Sequence, residues 1–384
     1  MYIFIKKDDK IIIEWGDYME PYKAKKMPFD YTPSNEILSL LFETREIYGE
    51  YKGYLRNMPF DYKCFLKAEY SLELYNSFKI DGAKIEKENT FFMPYMVKSN
   101  ISVEFENLKK SLSFALSELQ NKKIDISFYN NINKILFMDC KKDNKTKNSG
   151  HLRKKQNFLL KPGLAGSVVS FIPPVYTEVN ELMKNMCEYI NSKEDEIFLS
   201  TALTHYQYEK IHPYLSGNGK MGRFMIPVQV SFYKKEPPIL FISESIDELK
   251  NTYFTLLSGE IEEDVEKFVK FFLQCIINQC TINIKRIKKI NKVYKNDLEE
   301  FKKEIGGTTI YKIYPEMMKK IVFTTSDIVN DCGLHINSVN KVINKLVDKG
   351  FLIKQKKKDT NRVTFCYKNA YDVFMKWYLL NSQL

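Results

Sequence analysis

The distribution of apolar side chains along the chain predicts a protein built mainly from helices. Apolar residues recur at helical spacing over Ile197–Ile211, and a second apolar run covers Phe224–Phe232. Val265–Glu304 has the pattern of one or two long amphipathic helices, and the capping-like sequence Pro33–Glu36 predicts the start of helices that reach about residue 80. Helices of a central core are therefore expected over about residues 100–285.

Two other regions predict strands. Tyr2–Trp15 alternates between apolar and polar residues, which is typical of a β-strand. Near the C-terminus, a strand enters at Gly350–Ile353, the polar tip Lys354–Asn361 follows, and a second strand returns at Arg362–Phe365. The C-terminal region therefore contains a β-hairpin.

Two short helices precede that hairpin and indicate the type of domain to which it belongs. The pattern predicts helices at Asp327–Cys332 and Asn337–Lys349, joined by a turn at Gly333. Helix, turn, helix and a two-stranded wing resemble a winged helix-turn-helix domain, which Gly306–Thr309 separates from the preceding helices. From Lys319 to the end, 12 Lys and Arg stand against 5 Asp and Glu. Such charge is typical of a nucleic-acid surface, with base-reading candidates and wing lysines at Asn337, Asn340, Lys341, Lys356, Lys357 and Lys358.

The winged domain has a second interpretation. Lysine-rich tips are often only solvated loops, and winged domains also form protein–protein or dimer contacts. DNA is therefore one candidate partner, and a homodimer, also compatible with the long helices, is another.

The segment between the two apolar runs carries the candidate chemistry. It reads His212-Pro213-Tyr214-Leu215-Ser216-Gly217-Asn218-Gly219-Lys220-Met221-Gly222-Arg223. A glycine turn that opens a helix lets main-chain N–H groups approach a phosphate, and the helix N-terminus adds positive partial charge. We therefore predict helix, anion-binding turn and helix, with His212 at the hinge. The alternatives are a hairpin turn at Gly-Asn-Gly and a capping or core role for His212.

This segment resembles the motif of the Fic family, His-Pro-Phe-x-(Asp/Glu)-Gly-Asn-Gly-Arg-x-x-Arg, and His205–Ile211 resembles the family's approach to that motif. The resemblance implies a protein adenylyltransferase that moves AMP from ATP to Ser, Thr or Tyr hydroxyls, with self-modification. His212 is the implied catalytic base, because an imidazole titrates near neutrality. The residues implied to bind ATP are Gly217, Asn218, Gly219, Lys220, Met221, Gly222, Arg223, Tyr253 and Phe254; for Tyr253 and Phe254 the alternative is a core position.

Two positions depart from the family pattern. Ser216 stands where the family has Asp or Glu, and a hydroxyl is a neutral ligand for Mg²⁺. Lys220 replaces the first Arg, which exchanges a planar bidentate fork for a point charge. Ser216 is thus a weak metal ligand at best, and we expect activity with an unusual Mg²⁺ dependence.

Two further segments resemble family features. Ser77-Phe78-Lys79-Ile80-Asp81-Gly82 is similar to an inhibitory segment, (Ser/Thr)-x-x-x-Glu-(Gly/Asn), in which Asp81 would pair with Arg223 and Ser77 and Gly82 match the motif. An ordinary turn at Asp81-Gly82 is the alternative. Gly150–Gln156 resembles the family's Gly-x-x-Arg-x-x-Gln strand, and the following hairpin its flap. The flap edge for the acceptor protein would be Val168, Val169, Ser170 and Phe171; a plain surface hairpin is the alternative.

Composition limits the remaining possibilities. The 384 residues, 44% hydrophobic and 28% charged, are typical of a globular protein with two or three domains. No long apolar run or signal-like N-terminus occurs, so a cytoplasmic protein without a membrane partner is expected. The seven cysteines contain no Cys-x-x-Cys pair, which favours reduced thiols.

Together these features predict a mainly α fold: a Fic-type helical core with a β-hairpin flap, followed by a small α+β winged helix-turn-helix domain. The predicted segments are 1–98 (N-terminal region with the inhibitory-type helix), 99–305 (catalytic core and following helices) and 306–384 (winged domain). The alternative function is a nucleotide-sensing, DNA-binding transcriptional regulator with weak or no transferase activity. Transfer of UMP, phosphate or phosphocholine is a third possibility, because the turn recognises phosphates rather than the base.

Overall fold

The computed structural model describes residues 20–120, 122–141, 146–163, 166–258, 263–356 and 362–376. This part of the chain is mainly helical, as predicted. The first helices are α1 (Asn35–Arg56), α2 (Tyr62–Ile80), α3 (Asn100–Glu118), α4 (Ile126–Leu136), α5 (Val179–Ser192), α6 (Ile197–Ile211) and α7 (Asn218–Lys234). The others are α8 (Ser243–Glu248), α9 (Lys250–Ser258), α10 (Glu263–Glu304), α11 (Thr309–Lys320), α12 (Thr325–Cys332), α13 (Ile336–Asp348) and α14 (Lys368–Met375).

The strands form two small antiparallel sheets. β1 (Leu159–Gly163) pairs with β2 (Gly166–Phe171) in a hairpin. β3 (Val322–Phe323), β4 (Leu352–Gln355) and β5 (Thr364–Tyr367) form a three-stranded sheet in the order β3-β5-β4. The strand predicted at Tyr2–Trp15 lies outside the described residues.

Two compact units divide the chain, and each is made of separate segments. The first contains residues 1–41, 107–238 and 249–273, and the second contains 42–106, 239–248 and 274–384. The division into three consecutive segments made from the motifs stays a prediction.

Helix α6 is the centre of the first unit. Every residue from Phe198 to Ile211 is buried, so the helix is enclosed on all sides rather than exposing one polar face. Glu196 caps its start by accepting hydrogen bonds from the N–H groups of Phe198 and Leu199. Helices α5 and α7 pack against it. The end of α6, where His212 lies, is therefore attached to a rigid support.

The second unit contains a buried ion cluster and the C-terminal elements. The fully buried guanidinium of Arg286 on α10 donates to Glu244 on α8 at 2.7 Å and to Glu69 on α2 at 3.2 Å. Burial raises the pKa of Glu69 to about 7, against the opposing effect of Arg286. Further along, Tyr95 donates to Asp327 at 2.9 Å, which fixes the start of α12.

Several predicted elements are present. α10 is one helix of 42 residues, where one or two had been expected. Helices α12 and α13, the turn at Gly333 and the strands β4 and β5 lie where the C-terminal pattern predicts them. Helices α11 and α14 and strand β3 were not predicted from the sequence pattern. Within the described part of the chain, no helix combines the length and apolar composition that a membrane crossing requires.

Candidate active site

His212 is the residue at which helix α6 ends. Its main-chain N–H donates to the oxygen of Tyr208 at 3.0 Å, and its backbone is left-handed, with φ 50° and ψ 61°. This conformation costs a non-glycine residue about 1 kcal/mol or more, so neighbouring contacts must hold it. The side chain is half-buried. His212 therefore lies at the predicted hinge.

Arg153 holds the main chain around His212. Its guanidinium Nε donates to the oxygen of His212 at 2.9 Å, and Nη2 donates to the oxygens of Pro174 and Ile211 at 2.5 and 3.3 Å. The main-chain N–H of Arg153 also donates to the oxygen of Pro213 at 2.9 Å. Burial lowers the pKa of Arg153 to about 10, so the group remains cationic at neutral pH. One buried arginine thus determines the geometry of the His212–Pro213 step.

The loop after His212 closes on the first turn of α7. Asn218 Oδ1 accepts from the N–H of Tyr214, and Nδ2 donates to its oxygen, both at 2.8 Å. Gly217 caps α7 with φ 80°, and an added Cβ would lie 2.9 Å from Leu136 Cδ2 and 3.0 Å from Phe137 Cζ. Only glycine fits here, by conformation and by space. The predicted arrangement of helix, turn and helix is confirmed.

The remaining motif residues follow along α7. Gly219 and Lys220 are half-buried in its first turn, whereas Met221, Gly222 and Arg223 are buried. At Gly222 an added Cβ would lie 2.1 Å from Glu209 Oε1, so α6 and α7 approach closely there. Arg223 is only 1% exposed. Of the residues that follow Asn218, Gly219 and Lys220 are therefore the ones accessible to a ligand.

Arg223 also acts on a second histidine. Burial and the Arg223 charge together lower the pKa of His205 to about 3, so its imidazole is neutral at pH 7. His205 Nε2 lies 3.0 Å from the hydroxyl of Tyr253, which is 1% exposed. Phe254, the next residue, is 40% exposed. Of this pair, Tyr253 occupies the core and Phe254 is accessible; a contact of either with adenine stays a prediction.

The β1–β2 hairpin is attached to the His212 loop. Asn157 Nδ2 donates to the oxygen of Tyr214, and Gln156 Nε2 donates to the oxygen of Pro173, both at 2.8 Å. The residues Val168, Val169, Ser170 and Phe171 all lie on β2, which among the described strands pairs only with β1. A strand was implied for Gly150–Gln156, but this is wrong: the segment is a non-paired loop, because the side chains of Arg153 and Gln156 bind main-chain oxygens of other segments.

A buried lysine, Lys210, lies next to the open end of the hairpin. The ammonium of Lys210 is 4.6, 4.8 and 5.3 Å from the ring centroids of Tyr22, Phe171 and Tyr206. The N–H of Tyr22 donates to the oxygen of Ile172 at 2.8 Å. Cation–π contacts of this kind are favourable when the cation is removed from water. Three separate segments thus meet around one charge, two residues before His212.

Ser216 lies half-buried in the loop, and its main-chain oxygen accepts from Asn133 Nδ2 at 3.3 Å. Among the described residues, no group of three or more His, Cys, Asp or Glu side chains is placed to hold a metal ion. The donor set at Ser216 does not match the carboxylate ligation that Mg²⁺ prefers. We therefore derive no chemical step through a protein-held metal.

The inhibitory-type segment belongs to the second compact unit. Ser77 is buried inside α2, Asp81 is exposed at the C-cap, and Gly82 has φ 82°. Helices that reach about residue 80 were predicted, and α2 ends at Ile80. The pairing of Asp81 with Arg223 stays a prediction.

Comparisons with known proteins agree with this geometry. The model of the Fic/DOC family matches residues 123–229, so the chain contains a Fic domain. The protein adenylyltransferase Fic of Aedes aegypti is 26% identical over 107 residues, and that of Nematostella vectensis is 25% identical over 114 residues. These matches cover 27% and 28% of this chain, but only 20% and 25% of the two relatives.

Solved structures support the same fold over a longer stretch. A Fic family protein from Desulfovibrio desulfuricans has a TM-score of 0.55 at 16% identity, covering 88% of this chain and 97% of that one. A Fic domain containing signaling protein from Bacteroides thetaiotaomicron has a TM-score of 0.50 at 20% identity, covering 64% and 97%. At these identities the likeness concerns the fold alone.

Proposed function

We propose that this protein is an adenylyltransferase that moves AMP from ATP to Ser, Thr or Tyr hydroxyls of proteins, itself included. The observation that carries the proposal is the position of His212. It follows the last residue of α6 and precedes, by five residues, the glycine that caps α7. A base and a phosphate-binding helix N-terminus therefore share one fixed loop.

The reaction assigned to this loop is a displacement at the α-phosphorus. His212 accepts the hydroxyl proton while the acceptor oxygen forms the new bond to phosphorus. The bond between that phosphorus and the bridging oxygen breaks, and pyrophosphate leaves with the electron pair. N–H groups of the first turn of α7 and the Lys220 ammonium stabilise the charge that collects on the phosphate oxygens.

The acceptor is assigned to the hairpin. Strand β2 has an edge that β1 does not use, and an extended segment can pair with such an edge through main-chain hydrogen bonds. Asn157 and Gln156 hold the base of the hairpin to the His212 loop and the Pro173 turn. An acceptor paired with β2 would thus be held at a fixed distance from the imidazole.

Incubation of the full chain with ATP labelled at the α-phosphate tests the proposal. We expect label on protein and release of pyrophosphate, both lost in His212→Ala. Tight ATP binding without label would contradict the proposal and favour nucleotide sensing, the alternative that Ser216 and the basic C-terminal region motivate. Parallel reactions with UTP and with ATP labelled at the γ-phosphate distinguish AMP transfer from transfer of UMP or phosphate.

A further inference from the structure

We propose that the C-terminal part of the second unit binds double-stranded DNA through helix α13 and the described residues on and beside strands β4 and β5. This is a binding activity separate from AMP transfer. Helix α12 ends at Cys332 and is capped by Gly333, whose φ is 61°; α13 starts at Ile336. Hairpin strands β4 and β5 follow α13 directly and pair antiparallel. This order places a helix, a second helix and a hairpin next to one another.

Helix α13 has one buried face and one exposed face. Val339, Val342, Ile343 and Leu346 point into the core. Asn337, Ser338, Lys341 and Asn344 are exposed on the opposite side, and we call these four residues the outer face of α13. Amide, hydroxyl and ammonium groups are the side chains that hydrogen-bond base edges in a major groove. The outer face therefore has the chemistry of a recognition helix.

Positive charge is concentrated around this face. The described residues 333–356 and 362–371 contain seven Lys and Arg but only one Asp and no Glu. Some lysines in this part of the chain are paired with acids: Lys349 pairs with Glu304. On the neighbouring helices, the ammonium groups of Lys320 and Lys319 each lie 3.1 Å from a carboxylate oxygen, of Asp331 and Glu316 respectively. Lys354, Lys356 and Arg362 are exposed on and beside the hairpin. Phosphate groups along a duplex complement such a surface. The tip of the predicted wing, Lys357 and Lys358 included, lies outside the described residues.

The dimensions of B-DNA favour it over double-stranded RNA as the occupant. A major groove about 12 Å wide admits a helix, whereas the deep, narrow major groove of A-form RNA does not. With α13 in the groove, the hairpin lysines would lie toward the flanking phosphates, as in winged domains that bind DNA.

Fluorescence anisotropy of the full chain with a labelled 30-base-pair duplex of mixed sequence, over a series of KCl concentrations, tests the charge contribution. We compare Lys341→Ala/Lys354→Ala/Lys356→Ala with a control triple of equal charge change, Lys63→Ala/Lys122→Ala/Lys184→Ala. The first triple variant should weaken DNA binding about 10–100-fold and reduce the slope of log affinity against log salt concentration by about 2–3. The control triple should keep the DNA affinity and the salt slope of the unmodified chain. Equal losses in the two triples, no binding at 50 mM KCl, or a preference for RNA of the same sequence would overturn the proposal.

Selection of bound duplexes from a random pool tests base reading. The unmodified chain should enrich a sequence, and Asn337→Ala and Asn344→Ala should change the preferred base at separate positions. An unchanged preference in both variants would overturn base reading by the outer face. His212→Ala serves as a further control, because it removes AMP transfer and should leave DNA affinity unchanged; failure of the two proposals is thereby distinguishable.

Discussion

Arg153 Nε donates to the main-chain oxygen of His212 at 2.9 Å, across 59 residues of sequence. The same guanidinium also binds Pro174, just after the hairpin, at 2.5 Å. One buried side chain, 2% exposed, therefore sets the position of the proposed base relative to the proposed acceptor edge.

Arg153→Met should reduce labelling by about 100-fold and lower the free energy of unfolding by about 3 kcal/mol, because four main-chain oxygens lose a charged donor. These are the oxygens of His212, Lys155, Pro174 and Ile211. Labelling rates and urea denaturation measure the two effects. The control is Lys154→Met, which makes the same charge change at an exposed neighbouring residue. It should leave both the labelling rate and the free energy of unfolding unchanged. Equal activity of Arg153→Met and Lys154→Met would contradict the positioning role.

Substitutions at Tyr253 and Phe254 distinguish a role in core packing from a contact with the nucleotide. Tyr253→Phe leaves His205 Nε2 without its hydroxyl partner, so the free energy of unfolding should fall by about 1–2 kcal/mol with little change in ATP affinity. Phe254→Ala removes an accessible ring and should weaken ATP binding about tenfold if that ring stacks on adenine. Isothermal titration calorimetry measures the ATP affinity of both variants, and urea denaturation measures their free energy of unfolding. Unchanged ATP affinity for Phe254→Ala would exclude the adenine contact.

Ser216→Asp should lower the Mg²⁺ concentration for half-maximal labelling by on the order of tenfold, because it supplies the carboxylate that this cation prefers. Ser216→Asn, of nearly the same size but neutral, is the matched control. A Mg²⁺ titration of labelling rate measures the change. Superimposable titrations for the Asp and Asn variants would mean that residue 216 does not meet the metal.

If Asp81 restrains Arg223, two substitutions should act in opposite directions. Asp81→Gly removes the carboxylate and should raise labelling several-fold, whereas Asp81→Glu extends it by one methylene and should lower labelling. Asp81→Asn, which keeps the size without the charge, should behave like Asp81→Gly. Identical labelling rates across the three variants would leave Asp81 as an ordinary helix-end residue.

The buried cluster around Arg286 predicts a dependence of stability on pH. Burial raises the pKa of Glu69 from 4.5 to about 7, so the folded state binds more protons than the unfolded state between these values. Stability should therefore fall as pH rises from about 5 to 8, by on the order of 2 kcal/mol. The charged groups that influence the pKa of Glu69 are Arg286, Glu244 and Lys87. Urea denaturation across this range should lose that slope in Glu69→Gln; a slope of equal size in the variant would assign it to other groups.

Local sequence patterns were sufficient for the elements that carry the motif. The spacing in Ile197–Ile211 and the Gly217–Gly219 turn predicted α6, the His212 loop and α7, because caps and glycine turns depend on neighbouring residues. The partners of those elements were not predictable in this way. Arg153 and His212 are 59 residues apart, and Glu69 and Arg286 are 217 apart. Only the folded chain brings such pairs together, so a buried arginine on a loop gives little local signal of its role.

Helix α11 was missed for a related reason. The Gly306–Thr309 quartet indicated a linker, and both glycines do have positive φ, but a helix begins at Thr309 and contains Pro315. Its apolar residues Ile310, Ile313, Tyr314 and Met317 are buried against the rest of the second unit. Tertiary packing outweighed the local preference for a break.

The three aromatic rings around Lys210 connect separate segments of the first unit. Tyr22, Phe171 and Tyr206 come from an N-terminal segment, the hairpin and α6, and they share one ammonium at 4.6–5.3 Å. If one of the three segments moved away, the Lys210 ammonium would lose a favourable cation–π contact. We therefore expect the three segments to move together. The N-terminal segment is thereby coupled to the hairpin through Lys210.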